Sequence, residues 1–239
     1  MKSIRFMPLG DQAIIVSFGN GLSKQVNQRV QSFRHLLLRQ KWPFIVDVVA
    51  TFTNVTVFYN ATKQSYPEVR NELKRLLEVE NRFNTKKSVQ NIYLPVLYDG
   101  MDLERVSEKT GLSKKEIIHH HTNQAYPIYM VGFLPGFPYI GGFTEKLSIP
   151  RLDKPRNQVP KGSVGIINSQ SGIYPVSSPG GWNIIGTTPV ELIRLDKKYP
   201  FYYQAGDYIT FYPVDEDEYK SIRQNKLFEP KIEVIQDGD

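Results

Sequence analysis

Gly132-Phe133-Leu134-Pro135-Gly136-Phe137-Pro138-Tyr139-Ile140-Gly141-Gly142 opens a stretch, running to Pro189, on which the reading of the whole chain turns. Pro150-Arg151-Leu152, Pro155-Arg156, Val159-Pro160-Lys161-Gly162-Ser163-Val164-Gly165, Gly172-Ile173-Tyr174-Pro175, Ser178-Pro179-Gly180-Gly181-Trp182 and Ile185-Gly186-Thr187-Thr188-Pro189 follow in order. Proline lacks the amide hydrogen that a helix interior needs, and glycine loses the most backbone entropy on ordering, so no long helix crosses this region. Bulky apolar and aromatic residues interleave the turns, which excludes a flexible linker. Arg, Lys, Tyr and Trp stand beside glycines that let a backbone turn tightly or approach a ligand closely.

Beyond Pro189 the pattern reads as β throughout, with strands expected over 190–195 and 208–212 and a turn at 197–200. The acidic run Asp215-Glu216-Asp217-Glu218 caps a terminal helix or faces water. Many short strands joined by Gly/Pro turns from 126 to 214 predict a closed barrel, which removes exposed strand edges.

Upstream the periods change. Residues 4–7 and 13–18 read as strands around the turn Pro8-Leu9-Gly10-Asp11. Val26, Val30, Phe33 and Leu37 share one helical face, with Ser23 as N-cap and Pro43 beyond the end. Strands over 45–50 and 55–59 precede a second helix with Pro67 in its first turn and Val69, Leu73, Leu76 and Leu77 buried. Residues 1–85 thus predict a small α+β domain, two helices on one face of a mainly antiparallel sheet. The polar run Asn84-Thr85-Lys86-Lys87-Ser88 is the expected boundary, and 86–239 the second domain.

Between these lies a helical insertion near 102–123. A short helix ends at Thr110-Gly111, and Ser113-Lys114-Lys115-Glu116 is a capping box opening another. A DNA-reading helix-turn-helix needs a third helix for its core, whereas here the chain goes straight into an extended segment, so no nucleic-acid role is read. His119-His120-His121 does not make a metal site, because successive helical residues point about 100° apart and ligand pairs sit at i, i+4. His121 follows Ile117 by one turn and faces inward, either as a core histidine or as a site acid or base.

Composition bounds the rest. The chain has 239 residues, no cysteine and a net charge of +6, with residues 1–88 at +8 and 89–239 at −2. Disulfides and thiolate metal sites are excluded. No apolar run approaches the roughly 20 residues of a membrane helix, and the first residues lack a signal-peptide core, so no membrane association and a cytoplasmic location are expected. The positive charges are scattered along helical patterns, as on a solvated face, rather than clustered.

Together these motifs resemble the allophanate hydrolase subunit 1 family, whose members include a 5-oxoprolinase subunit and the kinase inhibitor KipI. Pro8-Leu9-Gly10-Asp11-Gln12-Ala13, Phe52-Thr53-Asn54-Val55-Thr56-Val57, His121-Thr122 and the ordered Gly/Pro motifs up to Pro189 carry the likeness over nearly the whole chain. Lys161 stands at a position where the family usually has a small residue. The resemblance implies a cyclophilin-like all-β barrel for the C-terminal domain, without prolyl-isomerase activity. It also implies a companion polypeptide, subunit 2 of the same complex, and a third subunit, with which 5-oxoproline is cleaved to glutamate using ATP. Two other family roles are binding a sensor histidine kinase and acting as a carboxyltransferase-like subunit on urea or another amide.

A site for a small anionic lactam needs a carboxylate clamp, charge stabilisation and a proton donor or acceptor. Arg151 and Arg156 are the clamp candidates, because a guanidinium holds a carboxylate through two parallel hydrogen bonds. His121, Arg156 and Lys161 are the candidate catalytic residues; Arg151, Gln170, Tyr174 and Trp182 are the candidate substrate-binding residues. No Gly-x-x-x-x-Gly-Lys-Ser/Thr loop is present, so ATP is expected on the partner or shared with it, and the chain alone is expected to be inactive.

Overall fold

The strand-strand-helix pattern at the N-terminus is present twice in the computed structural model, which describes residues 4–21, 23–82 and 88–236. Its elements are β1 (Arg5–Pro8), β2 (Ala13–Ser17), α1 (Lys24–Gln40), β3 (Ile45–Ala50), β4 (Asn54–Tyr59) and α2 (Tyr66–Arg82). The strands pair antiparallel in the order β1-β2-β4-β3. Ser23 accepts the Val26 N–H and starts α1, and Lys41 ends it in the left-handed conformation. Period decides the packing. Val55, Val57 and Tyr59 alternate inward along β4 to meet Val30, Phe33 and Leu37 of α1 and Val69, Leu73, Leu76 and Leu77 of α2 in one core.

The chain divides into two compact units, Met1–Lys87 and Ser88–Asp239. Most of the polar run read as the boundary, 84–87, lies outside the described residues. The second unit contains β5 (Ser88–Val96), α3 (Leu103–Thr110), α4 (Lys114–Thr122), β6 (Tyr126–Val131), β7 (Pro138–Gly141), β8 (Arg156–Val159) and β9 (Ser163–Ile167). It continues with β10 (Gln170–Ile173), β11 (Ser178–Gly180), β12 (Asn183–Thr187), β13 (Tyr208–Pro213), α5 (Glu216–Gln224) and β14 (Ile232–Gln236). Gly111 in the left-handed conformation stops α3, the Ser113–Glu116 capping box starts α4, and Asp215 caps α5. Among the described residues no helix is long and apolar enough to cross a membrane.

Two expectations are corrected here. The second unit is α+β rather than all-β, and its strands do not close into a barrel. The large sheet runs β12-β9-β10-β7-β6-β13-β5-β14, with a separate β11-β8 pair. The reason lies at β5. Strand β14 pairs antiparallel along residues 88–92 of β5, while β13 pairs parallel along its other edge. That leaves β12 only the residue just beyond β5, where Leu97 and Thr187 form an isolated bridge through reciprocal N–H···O bonds of 2.9 and 2.8 Å. Residues 190–195, read as a strand, are irregular instead. Val190 and Leu192 do turn inward, but the Val190 N–H goes to the Thr188 hydroxyl and the Arg194 N–H to Pro200 O, so no ladder forms.

Candidate functional site

A cleft of about 320 Å3 opens in the second unit, at the small end of the roughly 300–1,000 Å3 that ligand pockets span. Phe133, Phe137, Tyr139, Arg151, Tyr174 and Trp182 line it. Its centre is Phe137, a buried side chain whose ring makes four aromatic contacts. Tyr174 and Trp182 meet it edge-on at 5.2 and 5.4 Å, Phe133 edge-on at 6.0 Å, and Tyr139 tilted at 5.0 Å. Glycine makes this cluster possible at two points. A Cβ at Gly172 of β10 would fall 2.7 Å from the Phe137 ring, and one at Gly180 of β11 would collide with the Tyr174 hydroxyl. Arg151 reaches the cleft because the chain before β8 is tied to Gly181, whose carbonyl accepts the Leu152 N–H at 2.8 Å.

The cleft is polar at few points. Burial raises the Tyr174 hydroxyl above its ordinary pKa, opposed by a hydrogen bond from the Trp182 backbone and the charges of Arg156 and Arg151. Tyr139 is likewise raised by burial. Both are neutral phenols at physiological pH and can donate a hydrogen bond. Arg151 is exposed and forms no carboxylate pair among the described residues, so its guanidinium is free to bind an anion.

Arg156 is placed differently. Its Nη2 donates to Asp102 Oδ1 at 2.6 Å, and the other Asp102 oxygen accepts the Ile184 N–H at 2.7 Å. Arg105 Nη1 donates to Asn183 Oδ1 at 2.5 Å, and Asn183 Nδ2 donates to Pro150 O and Ile166 O. These bonds fix the residues directly after Trp182. Arg156 does not line the cleft, although its charge is felt at Tyr174. Its role is to brace the wall that carries Trp182.

Besides Arg156, three more sequence-predicted residues lie outside the cleft. Lys161 pairs with Glu191 at 2.5 Å, both side chains about half exposed. Gln170 stands on β10 opposite Gly141 and Ile167 and does not reach the lining. His121 is fully buried, stacked on Phe211 at 4.3 Å and Phe143 at 5.1 Å. Ser171 donates its hydroxyl hydrogen to Gly165 O at 3.2 Å, so it accepts from His121 Nε2 at 2.9 Å, and Nδ1 accepts the Tyr98 hydroxyl at 2.7 Å. The relay Tyr98–His121–Ser171–Gly165 satisfies every group with a neutral imidazole.

Desolvation lowers the His121 pKa from 6.5 to about 3. Between those values the unfolded chain binds a proton that the folded chain refuses, so stability rises with pH across that window. As pH falls from about 6.5 toward 3, His121 is expected to remove up to about 1.4 kcal/mol of stability per pH unit. Urea unfolding at pH 7 and pH 4.5 tests this, with His121→Gln expected to show the shallower pH slope. Equal slopes in the two proteins would contradict it.

Phe133, Phe137 and Tyr139 are cleft residues that the sequence reading does not single out. The available signal is their position inside the Gly132–Gly142 motif, with Phe137 and Tyr139 two residues apart and so able to share one face of an extended segment. Asp102 gives no signal, since its partner is 54 residues away.

The model of the carboxyltransferase domain family, subdomains C and D, matches residues 4–203. A 5-oxoprolinase subunit of Bacillus subtilis (strain 168) is 35% identical over 230 residues, which is 90% of this chain and 95% of that protein. The corresponding 5-oxoprolinase subunit of Haemophilus influenzae is 37% identical over 212 residues, 87% of this chain and 97% of that one. Among solved structures, that of TTHA0988 superposes with a TM-score of 0.76 at 31% identity. The match covers 85% of this chain but 40% of that one, so this chain spans less than half of its length.

Proposed function

Because the chain belongs to the family of the carboxyltransferase domain, subdomains C and D, we propose that it is a non-autonomous subunit of an ATP-dependent 5-oxoprolinase, acting with subunit 2 of the complex and a third subunit. The observation that carries the reading is a small aromatic cleft holding one uncommitted guanidinium. A five-membered lactam offers two flat faces, a carboxylate and a carbonyl. Phe137, Tyr139 and Trp182 provide apolar walls for the ring, and Arg151 a planar fork for the carboxylate. The neutral Tyr174 hydroxyl, held beside the Trp182 backbone, can donate to the carbonyl oxygen.

The cleft residues do not fit a nucleotide. No Gly-x-x-x-x-Gly-Lys-Ser/Thr loop is present, and Lys161, beside Gly162, is held by Glu191 outside the cleft. ATP is then held by the partner polypeptides or shared with them, and this chain binds and orients the lactam. The test is co-expression with the two companion subunits, followed by an assay of ATP-dependent glutamate release from 5-oxoproline. Turnover by the complex and none by the isolated chain is expected. Turnover by the isolated chain, or none by the assembled complex, would overturn the proposal.

A further inference from the structure

We propose that Phe133 is a specificity-determining residue of this cleft, its ring forming the face against which the flat ring of a small anionic lactam seats. The inference rests on the 5-oxoprolinase reading and extends it to a residue whose presence is otherwise unexplained. Phe133 has φ of 66°, in the left-handed region that favours glycine and disfavours an aromatic side chain. It is also 69% exposed. Apart from its edge-on contact with Phe137, a residue so strained and exposed gains little for folding from being phenylalanine, and glycine would suit its backbone better.

The strain is held in place by its surroundings. The Leu134 N–H donates to Gly132 O at 2.9 Å, the Phe137 N–H to Leu134 O at 3.0 Å and the Gly132 N–H to Phe137 O at 3.0 Å, so the turn closes on itself. From the far side, the Tyr203 hydroxyl donates to Gly136 O at 2.7 Å, and Phe201 lies so close that a Cβ on Gly136 would fall 2.5 Å from its ring. The turn therefore presents Phe133 in a fixed position. What it presents is the remaining open side of an aromatic cleft. Phe133 and Trp182 both stand nearly at right angles to Phe137, at 89° and 82°, and Arg151 lines the same space. A planar ring seated in the cleft with its carboxylate toward Arg151 would cover the exposed face of Phe133, and that burial is the gain that offsets the strain. An open-chain amide with the same carboxylate has no flat ring to cover it.

The assembled complex with Phe133→Gly tests this. Glycine removes the ring and relieves the backbone, so folding is preserved, and thermal unfolding checks that. The KM for 5-oxoproline is expected to rise about ten-fold with kcat within about two-fold, the scale on which apolar pocket contacts discriminate. Discrimination against the open-chain competitor glutaramate should fall by a similar factor, and Phe133→Tyr should restore both. Wild-type turnover with an unchanged KM and unchanged discrimination in Phe133→Gly would sink this inference and leave the 5-oxoprolinase reading standing. Failure of Phe133→Gly to co-elute with its partner subunits would overturn it in favour of a partner anchor. Absence of wild-type turnover would remove both.

Discussion

Asp102→Ala is expected to destabilise the second unit by about 3 kcal/mol or more, the largest effect on stability foreseen for a single polar side chain here. The Asp102 carboxylate is 5% exposed and serves two partners at once, the Arg156 guanidinium and the Ile184 N–H. Alanine leaves a buried N–H without an acceptor, which alone costs about 1–3 kcal/mol. It also strands Arg156, whose side chain is 26% exposed and whose Nη1 already lacks a hydrogen bond. Asn at position 102 can still accept the Ile184 N–H, so Asp102→Asn is expected to fall between wild type and alanine. The two singles share one interaction, hence Asp102→Ala combined with Arg156→Ala should cost less than the sum of the separate losses. Equilibrium unfolding of these variants and the wild type in denaturant measures all of this. A loss below about 1 kcal/mol for Asp102→Ala would mean that the pair is not the brace its geometry describes. Since Ile184 and Asn183 directly follow Trp182, the same substitution should also loosen the cleft wall.

Local pattern makes the first unit readable. The stripe Val30, Phe33, Leu37 and the alternation Val55, Val57, Tyr59 are each encoded within one element, and Ser23 and Pro67 punctuate the helices. The second unit is readable only up to its non-local pairings. Nothing in 232–236 announces that it will lie along β5, and the parallel union of β5 with β13 joins residues more than a hundred positions apart. Those two pairings are what keep the sheet from closing. The false strand at 190–195 has the same cause in reverse, an alternation of Val190 and Leu192 that buries side chains without finding a partner strand. In the cleft, Arg151, Tyr174 and Trp182 are legible because they are basic and aromatic residues standing within the Gly/Pro-punctuated stretch. Phe137 is not, since its place depends on the space left at Gly172, a strand away.

Arg151→Ala is expected to raise the KM of the assembled complex for 5-oxoproline by about 10–100-fold, the equivalent of losing one charge-assisted pair worth roughly 1.5–3 kcal/mol. The carboxylate is not itself a reacting group and keeps its charge as the amide bond breaks, so binding in the ground and transition states should weaken together and kcat should change little. Arg151→Lys should not restore affinity, because an ammonium group cannot offer two parallel donors to a planar carboxylate. Lys161→Ala serves as the comparison, a cation of the same Gly/Pro stretch already engaged by Glu191 outside the cleft, and should leave KM within about two-fold. The decisive measurement crosses enzyme with substrate. Removing the carboxylate from the substrate, as in 2-pyrrolidinone, should weaken the wild type about as much as removing Arg151 does, and Arg151→Ala should add nothing further against that substrate. If Arg151→Ala lowers kcat/KM equally for both lactams, the guanidinium does not meet the carboxylate, and the cleft binds its ligand in some other orientation or does not bind it at all.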